Sequence, residues 1–148
     1  MHEVASNIYF EKLVMPNHKH HTLPIRIYYE DTDTAGIVYY ANYLKFAERA
    51  RTEMLRSCGI NQSELLDTHN IGFVVRKVEI KFLKPARLDD LLTITTQLHD
   101  INKVSMNMKQ IVYKDQEVLV TMQVKIAVVG ADLKLANLPD FIQKLISK

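Results

Sequence analysis

The chain has 148 residues, 47% of them hydrophobic and 24% charged, which suits one globular domain with a single core and excludes a disordered chain. Its one cysteine, Cys58, cannot form an intramolecular disulfide, so a reducing compartment and a core that folds without staples are expected. A net charge of +2, from 19 basic and 17 acidic side chains with no dense Lys/Arg block, argues against a nucleic-acid partner.

Residues 1–21 mix Met1, His2, Asn7, Pro16 and the run His18, Lys19, His20 and His21 without a sustained apolar period. They read as an arm outside a domain that occupies 22–148. Imidazole is a good metal ligand, but no Cys, Asp or Glu nearby completes a recognised spacing, and no metal site is expected. From Leu23 onward Ile25, Ile27 and Tyr29 alternate with Arg26 and Tyr28, the period of two that predicts a first strand with one face on a core. The pattern breaks at Glu30-Asp31-Thr32-Asp33-Thr34-Ala35-Gly36, where short polar side chains and a glycine predict a loop.

A long helix is predicted over 40–57, with Tyr43, Ala47, Ala50 and Met54 on one face and Lys45, Glu48, Glu53 and Arg56 mostly on others. Gly59 is its stop, and Asn61 or Ser63 caps a shorter helix through Leu65 and Leu66. Strands are predicted over 73–83, 91–101, 104–113 and 118–129. Between them lie 84–90, where Pro85 cannot continue a ladder, and turns at 100–103 and 114–117; Gly130 ends the last strand. A final helix is expected over 139–146. The order is strand, long helix and an antiparallel meander of four strands, an α+β layout in which the sheet wraps around the helix that covers it.

Chemistry centres on Asp33 and the helix start seven residues on. Unpaired N–H groups at a helix N-terminus can hold an oxygen that becomes negative during acyl transfer, and a carboxylate in the preceding loop can attack a carbonyl or take a proton from water. Gly36 lets backbone approach a ligand closely. Aspartates in such loops more often serve as caps and turn formers, the role assigned to Asp31.

The run Tyr29-Glu30-Asp31-Thr32-Asp33-Thr34-Ala35-Gly36-Ile37-Val38-Tyr39-Tyr40-Ala41-Asn42-Tyr43 resembles the signature of the 4-hydroxybenzoyl-CoA thioesterase family. The stretch from Phe46 to Arg56, together with Phe82 to Leu91, resembles its bacterial Tol-Pal-associated acyl-CoA thioesterase branch, so the likeness spans roughly 23–129. It implies a hot-dog fold, a five-stranded antiparallel sheet wrapped around a long central helix, with two subunits joined edge to edge. It also implies hydrolysis of acyl-CoA or acyl-carrier thioesters, with Asp33 as the catalytic carboxylate and the Tyr40 backbone amide polarising the carbonyl. Many members of that branch have histidine where this chain has Tyr40, which leaves the amide as the group carried over.

Substrate contacts are expected from Gly36, Ile37, Val38, Tyr39 and Tyr43, the tyrosines serving equally well as packing residues. CoA phosphates call for cations, and Lys84 and Arg87 are the candidates, with Lys81 beside them. Glu48 is a rival carboxylate read as half of a solvated ion pair with its neighbouring arginines. Cys58 has no histidine near it in sequence, and His69 and His99 have no evident partners. No metal or redox cofactor is expected.

An open sheet edge predicts a homodimer or homotetramer. No apolar run approaches the ~20 residues of a bilayer span, and no secretory signal opens the chain, which suggests a cytoplasmic protein that can associate peripherally with the inner membrane. An acyl carrier protein is a candidate partner. The competing reading is a non-catalytic thioester-binding or envelope-complex adaptor; a hot-dog dehydratase is a weaker third, because its histidine-containing pattern is missing from the long helix.

Overall fold

The computed structural model describes residues 20–147, and the segment 1–19 lies outside the described residues. Five strands form one antiparallel sheet: β1 (His20–Arg26), β2 (Ile71–Phe82), β3 (Leu91–Ile101), β4 (Ser105–Lys114) and β5 (Glu117–Gly130), in the order β1-β3-β4-β5-β2. His20 and His21, read above as part of the arm, open β1 opposite Gln97 and Thr96. Pro24 sits opposite Thr93, where its missing N–H costs nothing because β1 is an edge.

Only β3, β4 and β5 form the expected meander. β2 pairs with β5 on the far edge, and β3 instead takes β1 as its neighbour. The reason lies in the connection after β2. It is not a tight turn: the Asp89 N–H donates to the Ile27 carbonyl and the Ile27 N–H to the Asp90 carbonyl, at 3.1 and 2.9 Å, so the chain is delivered to β1 at the opposite edge.

Alternation in the central strands sets the core. Leu92, Ile94, Thr96 and Leu98 of β3 face inward with Met106, Met108, Gln110 and Val112 of β4 and Val120, Met122, Val124 and Ile126 of β5. Across them lies α1 (Asn42–Ser57), which buries Tyr43, Ala47, Ala50 and Met54 as predicted, together with Phe46, Arg51 and Leu55. The fully enclosed Ala47 and Ala50 let the helix approach the sheet closely.

Gly59, at φ +85°, closes α1: its N–H donates to the Arg56 carbonyl at 3.0 Å, and the Ile60 N–H to that of Leu55 at 2.9 Å. Asn61 then caps α2 (Gln62–His69) by accepting from the Ser63 and Glu64 amides. The short α3 (Asp140–Ser147) buries Ile142 and Ile146, one turn apart.

The first strand was expected to run through Tyr29 and instead gives way to a 3-10 turn at Tyr29–Asp31. Asp31 Oδ2 accepts from the Tyr28 N–H at 2.8 Å and Thr32 Oγ1 donates to the Tyr29 carbonyl at 2.9 Å, taking backbone groups that a ladder would need. α1 starts at Asn42 rather than at residue 40, although Ala41 already has helical φ and ψ of −67° and −21°.

Candidate active site

The Asp33 loop is a small hairpin. The Tyr39 N–H donates to the Asp31 carbonyl and the Asp33 N–H to the Ile37 carbonyl, both at 2.9 Å, with Thr32 bridged to Val38 between them. At its tip Asp33 accepts twice, from the Gly36 N–H on its carbonyl at 3.0 Å and from the Ala35 N–H on Oδ1 at 2.9 Å. Gly36 sits at φ +78°, where an L side chain would be strained. Asp33 Oδ2 has no hydrogen-bond partner among the described residues, and the side chain is exposed.

This hairpin leads directly into α1, whose start lacks the usual neutralising groups. Ala41 stands at the N-cap and has no side chain to cap with, and the first turn holds no acidic residue. The Asn42, Tyr43 and Leu44 amides close onto the Tyr39, Tyr40 and Ala41 carbonyls at 2.9, 3.3 and 3.2 Å. The Tyr40 amide has no such acceptor among the described residues. It stands at the positive end of the helix as an available donor.

A second segment is stitched to this one. The Val38 N–H donates to the Ala86 carbonyl at 2.9 Å, Ile37 is bridged to Arg87, and the Ala86 N–H donates to Tyr43 Oη at 3.2 Å. Asp90 Oδ2 accepts from the Arg87 N–H at 2.8 Å, and Asp90 Oδ1 lies 3.0 Å from Lys114 Nζ. Partial burial pushes the Asp90 carboxyl up, but the Arg87 amide and the Lys114 ammonium outweigh it and hold it below the usual range. Burial pushes the Tyr43 phenol up, the bond from Ala86 offsetting part of this, so it stays neutral.

The structure thus brings Asp33, Gly36, Ile37, Val38, Tyr39, Tyr40, Tyr43 and Arg87 into one neighbourhood. Val38 and Tyr43 are buried there, while Tyr39 and Tyr40 are exposed. Lys84 is engaged in an ion pair with Glu117, whereas the Arg87 side chain is exposed and forms no ion pair among the described residues.

Glu48 does pair with an arginine, Arg51, at 2.5 Å, but the pair is only half solvated: Glu48 is 62% exposed and Arg51 is buried. Arg51 Nη1 donates to Gln110 Oε1 at 2.9 Å, and Gln110 Nε2 donates to the Ala47 carbonyl and to Thr96 Oγ1 at 3.0 and 2.9 Å. A partly open pocket of about 30 Å³ lies beside Glu48 and Arg51, at the middle of α1 rather than its start, and has room for about one water. Gln110 was missed in the sequence, although a glutamine at an inward position of an alternating strand was its signal.

Phe82, not singled out in the sequence, adjoins this neighbourhood. Its ring lies against those of Tyr40 and Tyr43, with centroids 6.1 and 5.9 Å away. Cys58 is buried, and burial pushes its thiol up, away from nucleophilic form. His69 packs on Phe141 at 5.2 Å. No cluster of His, Cys, Asp and Glu able to hold a metal occurs among the described residues.

The family model described as Thioesterase-like superfamily matches residues 28–146, starting at the hairpin and ending in α3. The acyl-CoA thioesterase YbgC of Haemophilus influenzae is 40% identical over 108 residues, 73% of this chain and 79% of that protein. A solved probable thioesterase from Bartonella henselae is 39% identical with a TM-score of 0.78, covering 81% of this chain and 99% of the other. A 4-hydroxybenzoyl-CoA thioesterase solved with 4-hydroxybenzoyl-CoA superposes with a TM-score of 0.82 at 23% identity, covering 87% and 99%, and supports the fold alone.

Proposed function

We infer the function from one premise: this chain belongs to the thioesterase-like superfamily. It is an enzyme that hydrolyses acyl-CoA thioesters to a free acid and a thiol. Acyl-carrier thioesters are further donors in this reading, with an acyl carrier protein as the partner that presents them.

The observation that supports a site at Asp33 is the start of α1. It has no capping side chain and no acidic first turn, and the Tyr40 amide is left without an acceptor at the end of the hairpin that carries Asp33. An oxygen gaining negative charge is stabilised by such a donor and by the helix dipole. Asp33 has one carboxylate oxygen committed to Ala35 and the other available.

In the reaction we assign to it, oxygen bonds to the thioester carbonyl carbon, and the displaced electron pair rests on the carbonyl oxygen held by the Tyr40 amide. The C–S bond then breaks as the carbonyl reforms, and the thiolate takes a proton. Asp33 supplies the attack, either by removing a proton from water or by forming an anhydride that water opens. Label on the Asp33 carboxylate after a single turnover in ¹⁸O-water identifies an anhydride opened at the Asp33 carbonyl, whereas direct attack of water on the thioester puts the label in the released acid alone. Gly36, Ile37 and Tyr39 line the approach, Val38 and Tyr43 hold its walls, and Arg87 meets a CoA phosphate, with Lys84 joining when released from Glu117.

Every step uses water, a carboxylate and an amide, so we assign no metal or redox cofactor. Purified protein is expected to release thiol from acyl-CoAs at the same rate before and after treatment with EDTA. Loss of turnover on chelation that a divalent metal restores would overturn the cofactor assignment; absence of thiol release from every acyl-CoA tested would overturn the activity and favour an adaptor that only binds. No helix among the described residues is long and apolar enough to cross a membrane. We place the protein in the cytoplasm or on the inner face of the membrane, to be tested by fractionation.

A further inference from the structure

Phe82 ends β2 and is 48% exposed, yet its ring is held on two sides. It stands edge-on to Tyr40, at 89° with centroids 6.1 Å apart, and tilted against Tyr43 at 53° and 5.9 Å; Tyr39 continues the array 4.9 Å from Tyr40. A half-exposed phenylalanine fixed by two neighbours presents a static apolar face, and it forgoes the burial that would stabilise the fold. Tyr39 and Tyr40, 47% and 62% exposed, extend the same apolar surface. Contiguous exposed apolar groups of this kind mark a surface that meets a ligand. Here they adjoin the helix start whose Tyr40 amide has no acceptor among the described residues.

We propose that Phe82 determines acyl-group specificity, its free face packing against the acyl chain while the thioester carbonyl sits at the Tyr40 amide. This rests on the site assigned above. The occupant must be apolar because the face offers aromatic rings, and the acyl chain is the occupant assigned because the ring that Phe82 stands against belongs to Tyr40, the residue whose amide is assigned to the carbonyl. Acyl chains that extend past the carbonyl gain from the contact, and an acetyl group, with its single methyl, gains least.

The test compares kcat/KM for acetyl-, butyryl-, hexanoyl- and benzoyl-CoA in the full-length protein and in Phe82→Ala and Phe82→Leu. The unchanged protein should gain roughly two- to fourfold per added methylene, from the hydrophobic increment for each CH₂. Phe82→Ala should flatten this series, losing about tenfold or more on hexanoyl-CoA while acetyl-CoA stays within about twofold, and Phe82→Leu should restore most of the slope. An equal loss on all four donors, with or without a change in oligomeric mass by light scattering, would mean that Phe82 only packs against Tyr40 or a second subunit. An unchanged series would also overturn the proposal. Should the unsubstituted protein release no thiol from any donor, the assigned activity itself fails and the proposal with it, an outcome distinct from active protein with parallel series.

Discussion

Asp31 and Asp33 lie two residues apart and use their oxygens differently. Asp31 is consumed by architecture: its carboxylate holds the Tyr28 amide, and its carbonyl takes both the Tyr39 amide and Asn42 Nδ2. Asp33 turns the chain with one carboxylate oxygen and keeps the other. Asparagine in its place retains the oxygen that Ala35 needs, so chemistry and turn can be separated experimentally. Tyr43 poses the converse case, a hydroxyl whose observed partner is the Ala86 amide. Tyr43→Phe preserves the ring packing on Phe46 and Phe82 but strands that buried N–H, and should cost about 1–3 kcal/mol in a urea unfolding series. A midpoint identical to that of the unsubstituted protein would show that the amide finds another partner and that the tie is dispensable.

Among the elements, α1 is fastened to the sheet by more than apolar contact. Gln110 is fully enclosed and joins Thr96 of β3, the Ala47 carbonyl and the Arg51 guanidinium, so one strand residue fixes the helix along its axis. Gln110→Leu fills similar space but leaves Arg51 and Thr96 short of partners inside the core, and is expected to destabilise by about 2–4 kcal/mol. A loss below about 0.5 kcal/mol in chemical denaturation would show that water replaces the glutamine. Periodicity made most elements legible: β3 spans 91–101 as read, and the predicted face of α1 is its buried face. What periodicity does not encode is pairing across distance. The Arg51–Gln110 bond spans 59 positions, and the crossing of β2 to the far edge depends on where residues 89 and 90 bond. Local side-chain bonds were also invisible, which is why the first strand was read too long.

At the scale of the whole molecule, the sheet ends in two edges, β1 and β2, and β2 is the longer at 12 residues. Its exposed Val74 and Val75 add apolar area to unpaired backbone groups, a combination that favours pairing with a second copy. Light scattering at micromolar concentration should report a dimer or tetramer; a monomer would contradict this reading of the edge. The candidate site was legible in part. The run from Tyr29 to Tyr43 pointed to Asp33 and Tyr40, and the fold supplies the uncapped helix start that gives Tyr40 a donor to offer. Phe82 escaped because its contact with Tyr40 joins the end of β2 to the start of α1 across the chain. The central claim is that Asp33 performs hydrolysis. Its most direct test is thiol release from a panel of acyl-CoAs by Asp33→Asn, with the unfolding midpoint measured on the same preparation. With Asp33 as the catalytic carboxylate, kcat falls by about 10²- to 10⁴-fold at an unchanged midpoint; turnover equal to that of the unsubstituted protein would rule the role out.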